Sequence, residues 1–261
     1  MNKLKAIARR FSENRFLFSE LVKRDFKKKY KGTYLGMVWS ILSPLLTLLV
    51  MRLVFSNFFG ADIPHYTIYL FCGNIVFSFF TEATNTGMSS LLENAHIFSK
   101  INVPKYLFLF SKNISALINF SLTFVIFILF CAIDGVTFTF AFLALVFPIL
   151  CLIFFNLGIG LILSALYVFF RDVQYLWSVF TMLLMYMSAI FYRVDTFSPT
   201  VQSLFLLNPI YVYIKYFRLA VLTGTLPSVE YHILAAAYAF VAMLIGLLMY
   251  RKCNQKFLYY V

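Results

Sequence analysis

The chain is short of charge. Only 12% of its 261 residues are Asp, Glu, Lys or Arg, where a soluble domain of this size carries about a quarter. Acid is the scarcer sign, with 10 residues against 22 basic ones. The three histidines, His65, His96 and His232, are scattered, and the four cysteines, Cys72, Cys131, Cys151 and Cys253, show no CxxC or metal-ligand spacing. A disulfide framework and a metal site are therefore not expected. Three of the cysteines sit in apolar runs, where a thiol behaves as a small hydrophobe. No G-x-x-x-x-G-K-[ST] pattern and no Ser–His–Asp grouping occurs, so neither nucleotide hydrolysis nor any other catalysis is expected from this chain, and it is expected to hold no cofactor.

What is abundant is apolar surface: 62% of the residues are hydrophobic and 20% aromatic. No single soluble core could bury so much, and the expected fold class is an all-α, polytopic membrane protein. The net charge of +12 does not indicate nucleic acid, because eleven of the 22 basic residues lie within positions 1–33 and no soluble domain exists to carry a basic stripe. The first long apolar run starts near Tyr34 and no small-residue cleavage site follows it, so a cleavable signal peptide is not expected.

A spanning helix needs about 20 mostly apolar residues. Six segments qualify, at about 34–57, 66–90, 106–132, 139–168, 173–192 and 229–250. With the start of the chain inside, the inner pieces are 1–33, 93–105, Arg171–Asp172 and the tail 251–261. With Lys112 they hold 18 of the 22 basic residues, whereas the outer pieces carry Asp62, Asp134, Asp195 and Glu230 with Arg193, Lys215 and Arg218. That bias places both termini in the cytoplasm. Arg52, near the outer end of the first span, can snorkel. Residues 196–226 are apolar but divided by Asn208–Pro209 into pieces too short to span. A second crossing there would leave the basic tail outside, so a re-entrant helical hairpin is expected, with a flat outer cap as the other reading. Backbone at membrane depth is tolerated only against protein or a water-filled cavity, which would put the hairpin beside a pathway.

Between Arg15 and Tyr30, Leu17, Phe18, Leu21, Val22, Phe26 and Tyr30 fall at the helical period, with Glu20 and basic residues opposite. This is the pattern of an interfacial helix. Lys23, Arg24, Lys27, Lys28, Lys29 and Lys31 are more than an anchor needs and can meet an anionic headgroup; fixing sidedness alone is the other reading. Gly32 ends the helix, and Leu35–Gly36 open the first span. Glu82, among Thr81, Thr84, Asn85, Thr86, Ser89 and Ser90, is a carboxylate inside a span, which points to a pathway or to a polar patch satisfied between helices. Phe191, Tyr192, Tyr211, Tyr213 and Tyr216 cluster near the outer exit, where rings and hydroxyls suit a sugar route, although so many aromatics make clusters easy to find. In the inner loop, Ile97, Phe98 and Ile101 offer apolar contacts outside the bilayer and Lys100 a charge, while Pro104 restarts the next helix. Asp172 is placed to cap the fifth span.

The stretch "LVKRDFKKKYKGTYLGMVWSILSPLL" resembles the entry to the first span in membrane subunits of ABC-2 type exporters, in the branch that exports O-antigen, teichoic acid and capsular polysaccharide. "LLENAHIFSKINVPKYLF" (Leu91–Phe108), "YVFFRDVQYLW" (Tyr167–Trp177) and "NPIYVYIKYFR" (Asn208–Arg218) continue the resemblance in the family's order over nearly the whole chain. The resemblance implies a homodimeric permease in the bacterial cytoplasmic membrane, working with two copies of a separate ATPase that binds ATP and Mg. It implies that Asn94, His96, Ile97, Phe98, Lys100, Ile101 and Pro104 form a coupling element on that ATPase, with Arg171 and Asp172 as a second contact or inner gate. Spans one and five would part at Leu35–Gly36, and Asn208, Pro209 and the outer aromatics would border the exit. The cargo would be a polyprenyl-diphosphate-linked glycan, its diphosphate met by the basic helix among membrane lipids. A drug or small-lipid exporter on the same scaffold, an ion-coupled carrier using Glu82, and a membrane scaffold are the alternatives.

Overall fold

The computed structural model describes residues 14–60, 63–101 and 103–260. The expectations for residues 1–13, for Asp62 and for the side chain of Tyr30 lie outside the described residues. Among the described residues there is no strand, and the elements run α1 (Arg15–Tyr30), α2 (Trp39–Phe59), α3 (Tyr66–Glu93), α4 (Ala95–Phe98), α5 (Tyr106–Ile133), α6 (Val146–Phe169), α7 (Val173–Met187), α8 (Pro199–Phe205), α9 (Pro209–Arg218), α10 (Val229–Cys253) and α11 (Phe257–Tyr260). Single 3₁₀ turns lead into α2 and α6, and a π-helical turn, Leu219–Thr223, extends α9.

Among the described residues, four helical segments are long and apolar enough to cross a membrane: Gly36–Phe59, Tyr106–Ile133, Phe140–Phe169 and Val229–Cys253. They match four of the expected spans. The second, α3, is 28 residues long but more polar, because Asn74, Glu82, Asn85 and a run of hydroxyls interrupt its apolar residues. The fifth is shorter than expected: α7 stops at Met187 after 15 residues, since Ala189 turns into a left-handed conformation, φ 51°, which a helix cannot contain.

The long helix at the centre of the bundle is α3. Ile68, Leu70, Phe71, Cys72 and Val76 are wholly shielded, packed among α5, α6 and α9. A helix apolar all round belongs in the middle of a bundle, and α3 is nearly so over Ile68–Gly73. The tightest contact joins α6 to α10. A Cβ added to Gly246 would lie 2.5 Å from the carbonyl oxygen of Gly158, and one added to Gly158 would strike the backbone of Ala242 and Met243. Small residues at that crossing let the backbones meet, the usual device of helix pairs in lipid.

Two helices stand apart from this core. Only Ser40 and Leu48 of α2 are buried, and only Thr181 of α7. Leu49, Val50, Leu53 and Phe58 on α2, and Leu176, Val179, Phe180 and Met182 on α7, are more than a third exposed.

The inner pieces expected from charge share one end of the bundle. Leu21 of α1, Phe98 of α4, Val168 at the end of α6, Tyr250 of α10 and Phe257 of α11 form one buried cluster there. Lys105 joins it from the side, donating to the Asn254 carbonyl (2.7 Å) and lying 5.6 Å from the ring centres of both Phe98 and Phe257. At the opposite end His65 meets Asp134 at 2.7 Å, and Lys215 meets Asp195 at 2.7 Å.

Candidate functional site: a polar cleft under the basic helix

The first helix covers the residues expected from its periodicity, Arg15–Tyr30, but its inward stripe is not purely apolar. Leu21 is buried, and so is Asp25, one turn further on, with its side chain 2% exposed. A carboxylate so placed must be paired. Arg24 donates to it at 2.8 Å, Ser111 of α5 donates at 3.1 Å, and Lys112 of α5 lies 3.5 Å away. Lys112 in turn donates to Glu93 at the end of α3 (3.0 Å), which also receives Lys28 (3.3 Å). Lys29 donates to Glu82 at 2.8 Å, and the same carboxylate oxygen accepts from Asn119 of α5. Arg24 also reaches Asn94 at 2.8 Å.

The basic row is therefore not a uniform surface for headgroups. Arg24, Lys28 and Lys29 are committed to the carboxylates and amide of neighbouring helices, Lys23 to Glu20 at 2.9 Å, and Lys27 and Lys31 are exposed. Asp25, Glu93 and Lys112 as pairing residues escaped sequence reasoning. The available signal was an acid one turn beyond Leu21 on the apolar side of α1, together with a lysine inside an apolar run.

Two adjoining cavities flank the Lys29–Glu82 pair. The first, about 450 Å³, lies between the start of α2, α3 and α5 and is lined by Trp39, Ser43, Asn74, Ser78, Asn119 and Thr123, among others. The second, about 330 Å³, opens under α1 and is lined by Asp25, Lys28, Lys29, Glu82, Glu93 and Lys112, among others. Lys29 and Glu82 belong to both walls.

The loop after α3 is split in character. His96, Lys100 and Ile101 are exposed and Ile97 is half-buried, whereas Asn94 and Phe98 are buried. Asn94 donates to the Ser90 carbonyl at 2.7 Å, and the Phe98 ring lies 6.0 Å from that of Phe108. The apolar contact expected at Phe98 is turned inward by that packing. Pro104 stands just ahead of α5, as expected. Arg171 and Asp172 are both exposed, Arg171 lying 5.7 Å from the ring centre of Tyr167. Asp172 holds the cap position of α7, but its side chain caps nothing; its backbone carbonyl accepts from Tyr175 and Leu176 instead.

At the far end, α8 and α9 meet at 105° across Asn208. Asn208 caps α9 by accepting from the amides of Ile210 and Tyr211, and its Nδ2 donates to the Met187 carbonyl (3.1 Å) and to Ser188 (3.0 Å). Pro209 takes the first helical position, where its missing N–H costs nothing. The expected outer aromatics divide. Tyr192 and Tyr211 line clefts of about 420 and 330 Å³, while Phe191 stacks on Phe55 at 4.2 Å. Tyr213 and Tyr216 are wholly buried, donating to Ala235 (2.9 Å) and meeting His232 (2.8 Å), so neither borders an opening. Leu35 is exposed and Gly36 has φ 50°, a conformation open to glycine.

Arg218 is the unforeseen residue of this end. Only 6% exposed, it donates to the carbonyls of Ala189 and Ile190 (both 2.8 Å) and of Tyr69 (3.3 Å), and its guanidinium lies 3.4 Å from the Tyr69 ring centre. Carbonyls freed where α7 ends thus find a donor, and the charge lies on an aromatic face. In the loop nearby, burial would raise the Asp195 carboxyl, but the hydrogen bond and charge of Lys215, with Arg193, hold it below the ordinary carboxylate value.

Long apolar helices in one packed bundle, with charge collected at the two ends, define a multi-pass membrane protein. Residues 17–222 match the model of the ABC-2 type transporter family, and the chain belongs to that family. It is similar to the O-antigen export system permease protein RfbA of Klebsiella pneumoniae, 26% identical over 93% of this chain and 95% of that one. It is also similar to the RfbA protein of Myxococcus xanthus (27%, over 86% and 87%) and to the polysialic acid transport protein KpsM of Escherichia coli (23%, over 95% and 97%).

Proposed function

We propose that this chain is the permease of an ATP-driven exporter that moves a polyprenyl-diphosphate-linked polysaccharide across the bacterial cytoplasmic membrane. The observation that carries this reading is the similarity, nearly end to end, to permeases whose names specify O-antigen and polysialic acid export. In this reading α2, α3, α5, α6, α7 and α10 make six crossings, α8 and α9 form a re-entrant hairpin on the outer side, and the basic end with both termini faces the cytoplasm. Six spans suffice if α7 crosses together with the segment Ser188–Ile190 that Arg218 holds.

The permease works as a homodimer with two copies of an ABC ATPase, which supply ATP and Mg. The open faces of α2 and α7 support pairing: rows of large apolar side chains there are exposed among the described residues, and a pathway between two copies would lie along them. His96, Ile97, Lys100 and Ile101, with Arg171 and Asp172, are the accessible groups for ATPase contact. Asn94 and Phe98 transmit movement inward, because each is packed against the bundle rather than offered to a partner. Lys27 on α1 and Lys31 just beyond its end, both exposed, meet the anionic cargo or lipid headgroups first. The carrier reading of Glu82 has less support, because Glu82 is bound to Lys29 and Asn119 and the family is that of ABC transporters.

The test is export. A strain lacking this chain should lose its surface polysaccharide and accumulate the lipid-linked form inside, and plasmid-borne wild type should restore it. Unchanged surface polysaccharide in the deletion strain would rule the reading out. Affinity purification of the tagged chain should bring down an ATPase, and replacing His96, Lys100 and Ile101 together should weaken that capture.

A further inference from the structure

We propose that the cleft between α2, α3 and α5 is the binding site for the first sugar of the cargo, with the adjoining cavity under α1 taking the diphosphate. The proposal rests on the export reading above and assigns the recognition to particular residues.

The argument begins with the composition of the cleft wall. A polar cavity between membrane helices is costly unless it serves a ligand or water, and this one has a volume of about 450 Å³. Its polar groups are almost all neutral: the amides of Asn74 and Asn119 and the hydroxyls of Ser43, Ser78 and Thr123. Rings of Trp39, Phe79 and Phe120 complete it. Neutral donors and acceptors beside flat apolar faces match a pyranose, whose equatorial hydroxyls bond sideways while its C–H faces rest on rings.

Asn74 supplies a second, independent sign. It is 6% exposed and lies in the first third of α3. One end of its amide accepts from Ser78 at 3.3 Å, and the other end has no partner among the described residues. Asn74 lies on the wall of the cleft, so the two donor hydrogens of that amide nitrogen are open to a ligand entering it. A sugar hydroxyl or N-acetyl group placed there would satisfy it.

The neighbouring cavity has the opposite chemistry. Lys28, Lys29 and Lys112 line it, held by Glu82, Glu93 and Asp25. A diphosphate, with more negative charge and more acceptor oxygens than one carboxylate, can share Lys28 and Lys29 with Glu93 and Glu82 through charge-assisted bonds. Lys29 and Glu82 stand on the boundary, so phosphate in one chamber and sugar in the next would be joined there as they are in a sugar diphosphate.

Binding can be read from Trp39 in the full-length chain in lipid nanodiscs, with Trp177→Phe removing the other indole and calorimetry on unmodified protein as a second measure. The probes are farnesyl diphosphate, farnesyl diphosphate bearing N-acetylglucosamine, and octyl glucoside as an uncharged control. The expected result is about tenfold tighter binding of the sugar-bearing probe than of farnesyl diphosphate, one decade being about 1.4 kcal/mol. Asn74→Ala and Thr123→Val should each erase most of that advantage while leaving farnesyl diphosphate within twofold. Lys29→Gln should weaken both diphosphates together. Equal affinity for the two diphosphates, no binding of either, or an advantage that survives both cleft variants overturns the proposal. Those outcomes leave the export reading standing, since that reading is decided by surface polysaccharide in the deletion strain.

Discussion

Asp25 and Lys112 face each other 3.5 Å apart, their side chains 2% and 9% exposed. One belongs to the helix whose pattern suits a membrane surface, the other to the middle of an apolar run. Their meeting fastens α1 to α5, so α1 is part of the bundle and can pass movement to it.

Breaking that pair should be costly. Asp25→Ala leaves Lys112 with Glu93 alone, Arg24 with only Asn94 and Ser111 with only the Phe108 carbonyl. Losing one partner of a buried ion pair costs on the order of 3–5 kcal/mol, expected as a marked fall in the unfolding midpoint in detergent. The double variant Asp25→Leu, Lys112→Met should recover much of the loss. A midpoint for Asp25→Ala equal to wild type would show that the pair carries no stability.

The crossing of α6 and α10 predicts a contrast between glycines. Gly246→Ala should destabilise by about 1–3 kcal/mol, because its methyl would lie 2.5 Å from the Gly158 carbonyl oxygen. Gly87→Ala should be harmless, since the added carbon meets the Gly160 Cα at 3.5 Å, ordinary contact. Thermal scans of the two purified variants side by side decide it.

Arg218→Met keeps volume but leaves the carbonyls of Ala189 and Ile190 without their donor. Hydrogen bonds to a charged group are worth about 1.5–3 kcal/mol each, so the segment after α7 should loosen. The expected readout is limited proteolysis at residues 188–208, faster in the variant, with the rest of the chain protected as before.

Asp195 gives a pH dependence. Its carboxyl is held below the ordinary value by Lys215 and Arg193. A depressed carboxylate stabilises the fold above its unfolded pKa, and that contribution is lost as pH falls through the lower folded value. The stability difference between wild type and Asp195→Asn should therefore be constant from neutral pH down to about 4 and shrink only below it. A difference that vanishes already at pH 6 would mean the pair with Lys215 does not form.

Much of this was legible because lipid imposes simple rules. The bounds of α1, the long apolar runs of α2, α5, α6 and α10, and the break at Asn208–Pro209 follow from periodicity, length and turn chemistry. The family resemblance was carried by four short stretches in order. What escaped was pairing. Nothing in "KRDFKKKYK" says that Lys28 and Lys29 turn towards Glu93 and Glu82, since those partners are more than fifty residues away. Tyr213 and Tyr216 read like exit aromatics because composition cannot tell a ring in a core from one at an opening. Arg218 read as an outer surface charge because only the fold brings the carbonyls of Tyr69, Ala189 and Ile190 around it.

Phe257 has no exposed surface and packs on Tyr250 and Phe169, with Lys105 above its ring. Phe257 thus acts as a stopper pressed into the bundle. Topology reporters spliced in before position 257 would pull that stopper and register a damaged molecule. Fused after Val261, the same reporters leave Phe257 in place.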